Sequence, residues 1–372
     1  MASGFSLKDQ LFNAEKVRYL AGLFAGASAA FNADDFQTRV MARLPELELK
    51  ARISWISEQL AGSLPGDLPD VAPVLMSALP PPLDPSKTDD DFGDFIFAPL
   101  GELVVARGLE SHLQLSLDML EALTQRFSME WAIRPFLNRW PDEVLARMQD
   151  WVGHDSYHVR RLVSEGTRPR LPWGESVCLA LPDPLPLLDR LHIDPTRYVT
   201  RSIANHLNDI TKKNPDLVLD QLVKWKDLGQ QSPKELQWMT AHALRGLVKA
   251  GYPAAMAQLG YDPDIPVEVR LAMASSEVQI GDVLEFTCDL TAANQTPVLI
   301  DYRIEFQRPS GKTSVKVFKL KQAKVGSRGL VIGKRHRLKG DATTFKLVPG
   351  PHKLDVMVNG RVRASAEFDL LG

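Results

Sequence analysis

The feature that most limits what this chain can fold into is a recurrence. The segments YHVRRLVSEG, YVTRSIANHLND and WMTAHALRGLVKAG align with one another at a spacing of about 40 residues. In the first of them Val159, Leu162 and Val163 stand at i, i+3 and i+4, the apolar stripe of a helix. A short helical hairpin cannot bury such a stripe alone, so repeats of this length stack on one another as HEAT or armadillo units do. Each segment also carries a basic residue or a histidine near its middle: Arg161, Arg201, and His242 with Arg245. Equivalent positions of a stacked array share one face, so these side chains predict a basic groove.

The pattern holds upstream and stops downstream. Residues 5–61 are helical in period, as in AEKVRYLAGLF and ARISWISEQLAG. The Pro-, Gly- and Asp-rich stretch SLPGDLPDVAPVLMSALPPPLDPSKTDDDFGDF predicts one short helix and then a surface loop. Near Gly260 the helical period ends, and GYDPDIPVEVR reads as a linker. Beyond it, VLEFTCDLTAA, VLIDYRIEFQR and HKLDVMVNGRVRASAEFDL alternate apolar and polar residues between turn signals such as Asn359-Gly360. About seven short strands in about 100 residues predict a β-sandwich. The expected architecture is mainly α: a HEAT-like helical-repeat solenoid over 1–265, then a small all-β sandwich over 270–372.

A net charge of −2 hides a split. Residues 270–372 carry 17 Lys and Arg against 10 Asp and Glu, and Arg308–Lys339 holds eleven basic residues and no acidic one. Such a run is either a solvated face or a surface for a polyanion, of which nucleic acid is the commonest. The two cysteines, Cys178 and Cys288, are far apart and form no CxxC, which argues for a reducing compartment and against a zinc or disulfide framework. MASGFSLKDQLFN has no basic-then-apolar leader pattern and no apolar run reaches membrane length, so a cytoplasmic location without membrane attachment is expected. His192-Ile-Asp194 has the form of an iron-oxygenase HxD, but it stands just before Pro195, between helices, where Asp194 suits a helix cap. No metal or cofactor is expected.

Candidate chemistry gathers in three stretches. In HDSYHVRRLVSEGTRPRLPWG, His158, Arg161 and Glu165 follow helical spacing, Gly166 supplies a helix stop, and Pro169 and Pro172 stiffen a loop bearing Arg168, Arg170 and Trp173. FSMEWAIRPFL places Glu130 on a helix one turn before Arg134, with Pro135 expected to kink it. Glu130 is then either half of a solvated i,i+4 pair or a carboxylate fixed at the groove mouth; Glu165 has the same two readings with Arg161. Trp173 either caps a core or offers its π-face to a developing cation, and Trp131 falls in the apolar stripe. RSIANHLNDITKKNP offers Arg201, Asn205, Asn208, Lys212 and Lys213, side chains suited to phosphate or to polar contacts between repeats.

Taken in order, FSMEWAIRPFL, SEGTRPRLPWG and RSIANHLNDITKKNP resemble the AlkC branch of the AlkC/AlkD alkylpurine DNA glycosylases, HEAT-like proteins. The resemblance covers most of residues 1–265, and the tail resembles the immunoglobulin-like extension of some members. It implies a monomeric enzyme without cofactor that hydrolyses the N-glycosidic bond of cationic N-alkylated bases in double-stranded DNA. 3-Methyladenine and 3-methylcytosine are the expected lesions, removed without a base-flipping pocket. The family's catalytic acid maps to Glu130, with Glu165 and Trp173 beside it; Arg161, Arg168, Arg170, Arg201, Asn205, Asn208, Lys212 and Lys213 would contact DNA. The competing class is a non-enzymatic HEAT scaffold that binds a peptide or DNA. Convergence of Glu130, Glu165 and Trp173 on one groove would separate the two.

Overall fold

The structure, a computed structural model, describes residues 6–87, 92–340 and 346–372, so part of the expected acidic loop, residues 88–91, lies outside it. By packing the chain forms two compact units. One holds the described residues up to Asn214 with Gln221–Ala243; the other holds Pro215–Asp220 with Leu244–Gly372.

In the first unit the first two aligned segments lie in the helices Tyr157–Gly166 and Arg197–Ile210, while the third is divided at Leu244 between the end of the helix Pro233–Ala243 and the short helix Arg245–Lys249 of the second unit; Tyr157–Gly166 packs on Arg197–Ile210, and that on Pro233–Ala243. Their apolar stripes are buried: Val159, Leu162 and Val163, then Val199, Ile203 and Leu207, then Leu236, Met239 and Ala243. Each of these Val, Leu, Ile and Met side chains contributes roughly 1.5–3 kcal/mol when removed from water. Hydrogen bonds at one repeat's distance tie the helices together. Ser202 Oγ donates to Glu165 across 37 residues, Thr200 Oγ1 to Glu235 across 35, and the His206 ring meets the Ser164 carbonyl across 42. Small buried hydroxyls thus satisfy the polar atoms that close packing of helices removes from water.

Two local expectations change. Glu130 lies in a turn, and the helix begins only at Ile133, so Pro135 sits in its first turn. A first-turn N–H has no intrahelical acceptor, so proline starts this helix without kinking it. Gly166 ends the helix Tyr157–Gly166, yet the following Thr167 is right-handed at φ −88, which is not the usual glycine stop. The glycine is required by packing: a Cβ there would stand 2.6 Å from Ile133 Cγ2.

The second unit carries eight described strands where about seven are expected: β1 Val267–Met273, β2 Glu277–Gln279, β3 Val283–Ala292, β4 Thr296–Gln307, β5 Thr313–Val325, β6 Leu330–Arg337, β7 Gly350–Val358 and β8 Arg361–Leu371. They form a three-stranded sheet, β1-β3-β6, and a five-stranded sheet, β2-β8-β7-β4-β5. Alternation along β3 buries Leu284, Phe286, Cys288 and Leu290 against Ile300, Tyr302 and Ile304 of β4. Both cysteines are free, Cys288 buried and Cys178 exposed. The acid-free run lies mostly on β5 and β6, each the end strand of its sheet. Lysines along an end strand keep its unpaired backbone from recruiting another chain.

The stretch read as a linker is fastened to the strands. Asn359 donates to the Asp262 carbonyl at 2.8 Å, Arg363 to the carbonyls of Pro263 and Ile265, and Ile265 joins the sandwich core. The change from helix to strand therefore does not coincide with the change of packing unit, since Leu244–Pro266 goes with the strands.

Candidate active site

One buried arginine builds the loop that carries Trp173. Arg134 does not pair with Glu130 as an i,i+4 partner. Its Nη1 donates to the carbonyls of Gly166 at 2.9 Å and Arg168 at 3.0 Å, and its Nε donates to that of Glu175. A single rigid fork thereby fixes the loop at both ends. Within the loop Gly174 N–H donates to the Leu171 carbonyl at 3.2 Å, closing a turn with Pro172 and Trp173 at its centre. Trp173 has φ +64, the left-handed region that side chains rarely adopt, and is 55% exposed. The Lys50 ammonium donates to its carbonyl at 2.8 Å. An indole held outward at a strained position is not a core cap.

Trp131, assigned to the apolar stripe from the sequence, is instead half-buried in the turn beside Glu130. Its indole N–H reaches the Pro172 carbonyl, and its ring centroid lies 6.1 Å from that of Trp173. No periodicity could reveal this, because the turn interrupts the helix to which the period was referred.

Below the loop runs a chain of alternating charges. Glu130 Oε2 accepts from Ser128 Oγ at 2.7 Å and from Arg161 Nη1 at 3.0 Å. Among the described residues Glu130 Oε1 has no hydrogen-bond partner, and the side chain is 19% exposed. Arg161 Nη2 stands 3.7 Å from Glu165, and its guanidinium lies 4.5 Å over the Tyr198 ring. Glu165 has both oxygens engaged, one by Arg168 and one by Ser202 at 2.6 Å. Arg168 continues to Asp209 at 2.8 Å, and Asp209 accepts from Lys212 at 2.8 Å.

Electrostatics follow from this order. Burial opposes the Arg161 charge, but Glu165 and Glu130 overcome it and hold the guanidinium above its ordinary value. Burial likewise opposes ionisation of Glu165, and Arg161 and Arg168 reverse the outcome, so its carboxyl is held below the usual range. Tyr198 is pushed up to about 12 by burial and stays a neutral phenol beneath Arg161. Glu165 is therefore held ionised at neutral pH, and Glu130 is the more accessible of the two side chains.

The residues expected to meet DNA divide three ways. Arg170 and Lys213 are exposed, and Arg201 and Asn205 are half-buried one turn apart on the helix Arg197–Ile210. Arg161, Arg168 and Lys212 are engaged in the charge chain, Arg168 with only 12% of its side chain exposed. Asn208 is 8% exposed, so it belongs between helices and not on a DNA-facing surface. In the HxD, the His192 ring stacks on Trp225 at 4.7 Å and Asp194 is committed to Arg160 and Thr196. Among the described residues no cluster of His, Cys, Asp or Glu could hold a metal ion.

Residues 268–372 match the family model for the "Uncharacterised protein YhaZ, C-terminal Ig-like domain". Over 366 residues, 97% of this chain and 98% of the other, the sequence is 31% identical to the uncharacterized protein YhaZ of Bacillus subtilis (strain 168). Among solved structures it is similar to the Pseudomonas fluorescens alkylpurine DNA glycosylase AlkC bound to DNA containing an abasic site analog. That match has a TM-score of 0.86 and 32% identity, and it covers 99% of this chain and 100% of the other.

Proposed function

The chain belongs to the AlkC family of alkylpurine DNA glycosylases, and from that premise we propose that Glu130, Arg161, Glu165 and Trp173 form the site at which it cleaves the N-glycosidic bond. The protein is a DNA repair glycosylase with a helical-repeat region and an immunoglobulin-like domain. Its substrates in this reading are cationic N-alkylated bases, 3-methyladenine and 3-methylcytosine, in double-stranded DNA.

The observation that carries the reading is the state of Glu130. One oxygen is clamped by Ser128 and Arg161, the other has no partner among the described residues, and the group is neither buried nor freely solvated. A cationic base already carries the charge that makes it a good leaving group, so it needs little protonation. What remains is a sugar with oxocarbenium character, stabilised by a fixed carboxylate that can also orient the attacking water. Glu130 supplies that carboxylate. Glu165, with both oxygens taken, acts through Arg161 as a positioning residue. Trp173 offers its π-face to the same positive charge. Such a site stabilises the sugar without enclosing an extruded base. Arg170, Arg201, Asn205 and Lys213 would hold phosphates, and the exposed cations of β5 and β6 would add sequence-independent attraction.

The test is release of free base from duplex DNA carrying a single 3-methyladenine or 3-methylcytosine, with EDTA present. Release at a rate well above spontaneous base loss is expected for both lesions. Absence of release from either lesion, by a folded full-length chain that binds DNA, overturns the reading.

A further inference from the structure

Beside the charge chain the helical unit has a cleft of about 380 Å³, of whose lining the proposed bond cleavage uses only Ser128 and Trp173. Ile53, Val105, Met129 and Pro135 give it apolar walls. Trp131 and Trp173 stand in its lining, with Ser128, the donor to Glu130. Through Ser128 the cleft adjoins the Glu130 carboxylate. Two carboxyls line the cleft: Glu175, which accepts from Asn138, and Glu102 of the helix Ala98–Gly108. Lys50, also in the lining, is committed to the Trp173 carbonyl.

We propose that this cleft is a holding site for excised 3-methyladenine, a planar amino-substituted heteroaromatic that stacks on the indoles while the Glu102 carboxyl pairs with its unmethylated N1/N6 amidine edge. Mostly apolar walls with a few convergent polar groups are the usual make-up of a small-molecule site. An indole face suits a flat, electron-poor ring, and the cleft is roomier than one purine. The polar group fits as well. A carboxyl presents acceptor oxygens to an exocyclic amine and, when protonated, an O–H to the neighbouring ring nitrogen. Burial, the dominant influence on Glu102, raises its pKa against the opposing Ser54 hydrogen bond and Lys50 charge, which favours the protonated form relative to a free carboxyl. The intact nucleotide stays in the helix in this scheme. Only the base, free of its sugar, enters the cleft, which draws it away from the oxocarbenium carbon and prevents the bond from re-forming.

This inference rests on the glycosylase reading, and its experiment separates the two. Equilibrium dialysis of the full chain against free 3-methyladenine, with thymine for comparison, reads the cleft without DNA. Saturable one-to-one binding of 3-methyladenine, at least tenfold tighter than thymine, is expected. Glu102→Leu, which replaces a half-buried carboxyl with an apolar group of similar size, should abolish that preference. Glu102→Gln should keep it, since a carboxamide also pairs with an adenine edge, but should lose its dependence on pH. No saturable binding, or binding unchanged in Glu102→Leu, overturns the holding site even if base is excised. Binding as described by a protein that excises nothing overturns the glycosylase reading and leaves the cleft as assigned.

Discussion

Arg161 Nη1 donates to Glu130 Oε2 at 3.0 Å, joining side chains 31 residues apart in sequence. This contact converts a partly exposed carboxylate into one of fixed direction. It also makes the charge of Glu130 a property of the helix Tyr157–Gly166 as much as of its own turn.

Glu130→Gln keeps the volume and removes the charge. Loss of one aimed electrostatic group is worth roughly 2.7–4 kcal/mol in the transition state, so single-turnover excision should fall about a hundredfold or more. DNA affinity and thermal unfolding should stay close to the parent. A rate within a few-fold of the parent would remove Glu130 from its proposed role.

Trp173→Gly should separate activity from stability. Glycine adopts φ +64 without strain, and the exposed indole gives up little burial. Relief of backbone strain should leave the protein as stable or more so, by up to about 1 kcal/mol, while excision drops. A lower melting temperature would mean that the indole contributes to packing after all.

Arg168→Ala strips a cation from between Glu165 and Asp209, both nearly excluded from water. Breaking a buried pair by removing one partner costs about 3–5 kcal/mol, measurable by urea unfolding. Arg170→Ala, at an exposed position on the same loop, should leave unfolding unchanged. It should weaken binding to every duplex alike, reducing the log–log salt slope by about 0.9.

His206 gives a pH dependence of known sign. Burial, the main cause, holds its ring at about 4 against an ordinary 6.5, so the folded state favours the neutral form. An unfolded chain that binds the proton more readily gains on acidification. The contribution is therefore fully present above pH 6.5, declines as pH falls toward 4, and levels off below that. The loss is on the order of 3 kcal/mol. Urea midpoints from pH 7 to pH 4 should fall less steeply in His206→Gln than in the parent.

How much of this was legible beforehand depends on the range of the interaction. The helical array announced itself because Val159, Leu162 and Val163 are set by local period, and the sandwich because β3 alternates strictly. Glu130, Glu165 and Trp173 could be nominated, but their arrangement could not be read. Arg134 looked like a partner for Glu130 because they are four apart, yet its acceptors are carbonyls 32 to 41 residues away. Gly166 looked like a helix stop, while the real constraint is Ile133 on another helix. Trp131 was misassigned for the same reason: a turn, not a helix, sets where it points. Side chains whose partners lie one repeat away leave no mark within a local window.

The grip of Arg134 on the Gly166–Glu175 loop has a kinetic meaning. The carbonyls of Gly166, Arg168 and Glu175 are captured when the helical unit folds, before any DNA arrives. If Trp173 acts as proposed, presenting it requires no closing step at each position sampled along a duplex. A protein that must inspect long tracts of undamaged DNA can move on from each site as fast as its phosphate contacts release. The dwell time at a lesion is then set by the chemistry of the sugar and not by the ordering of a loop.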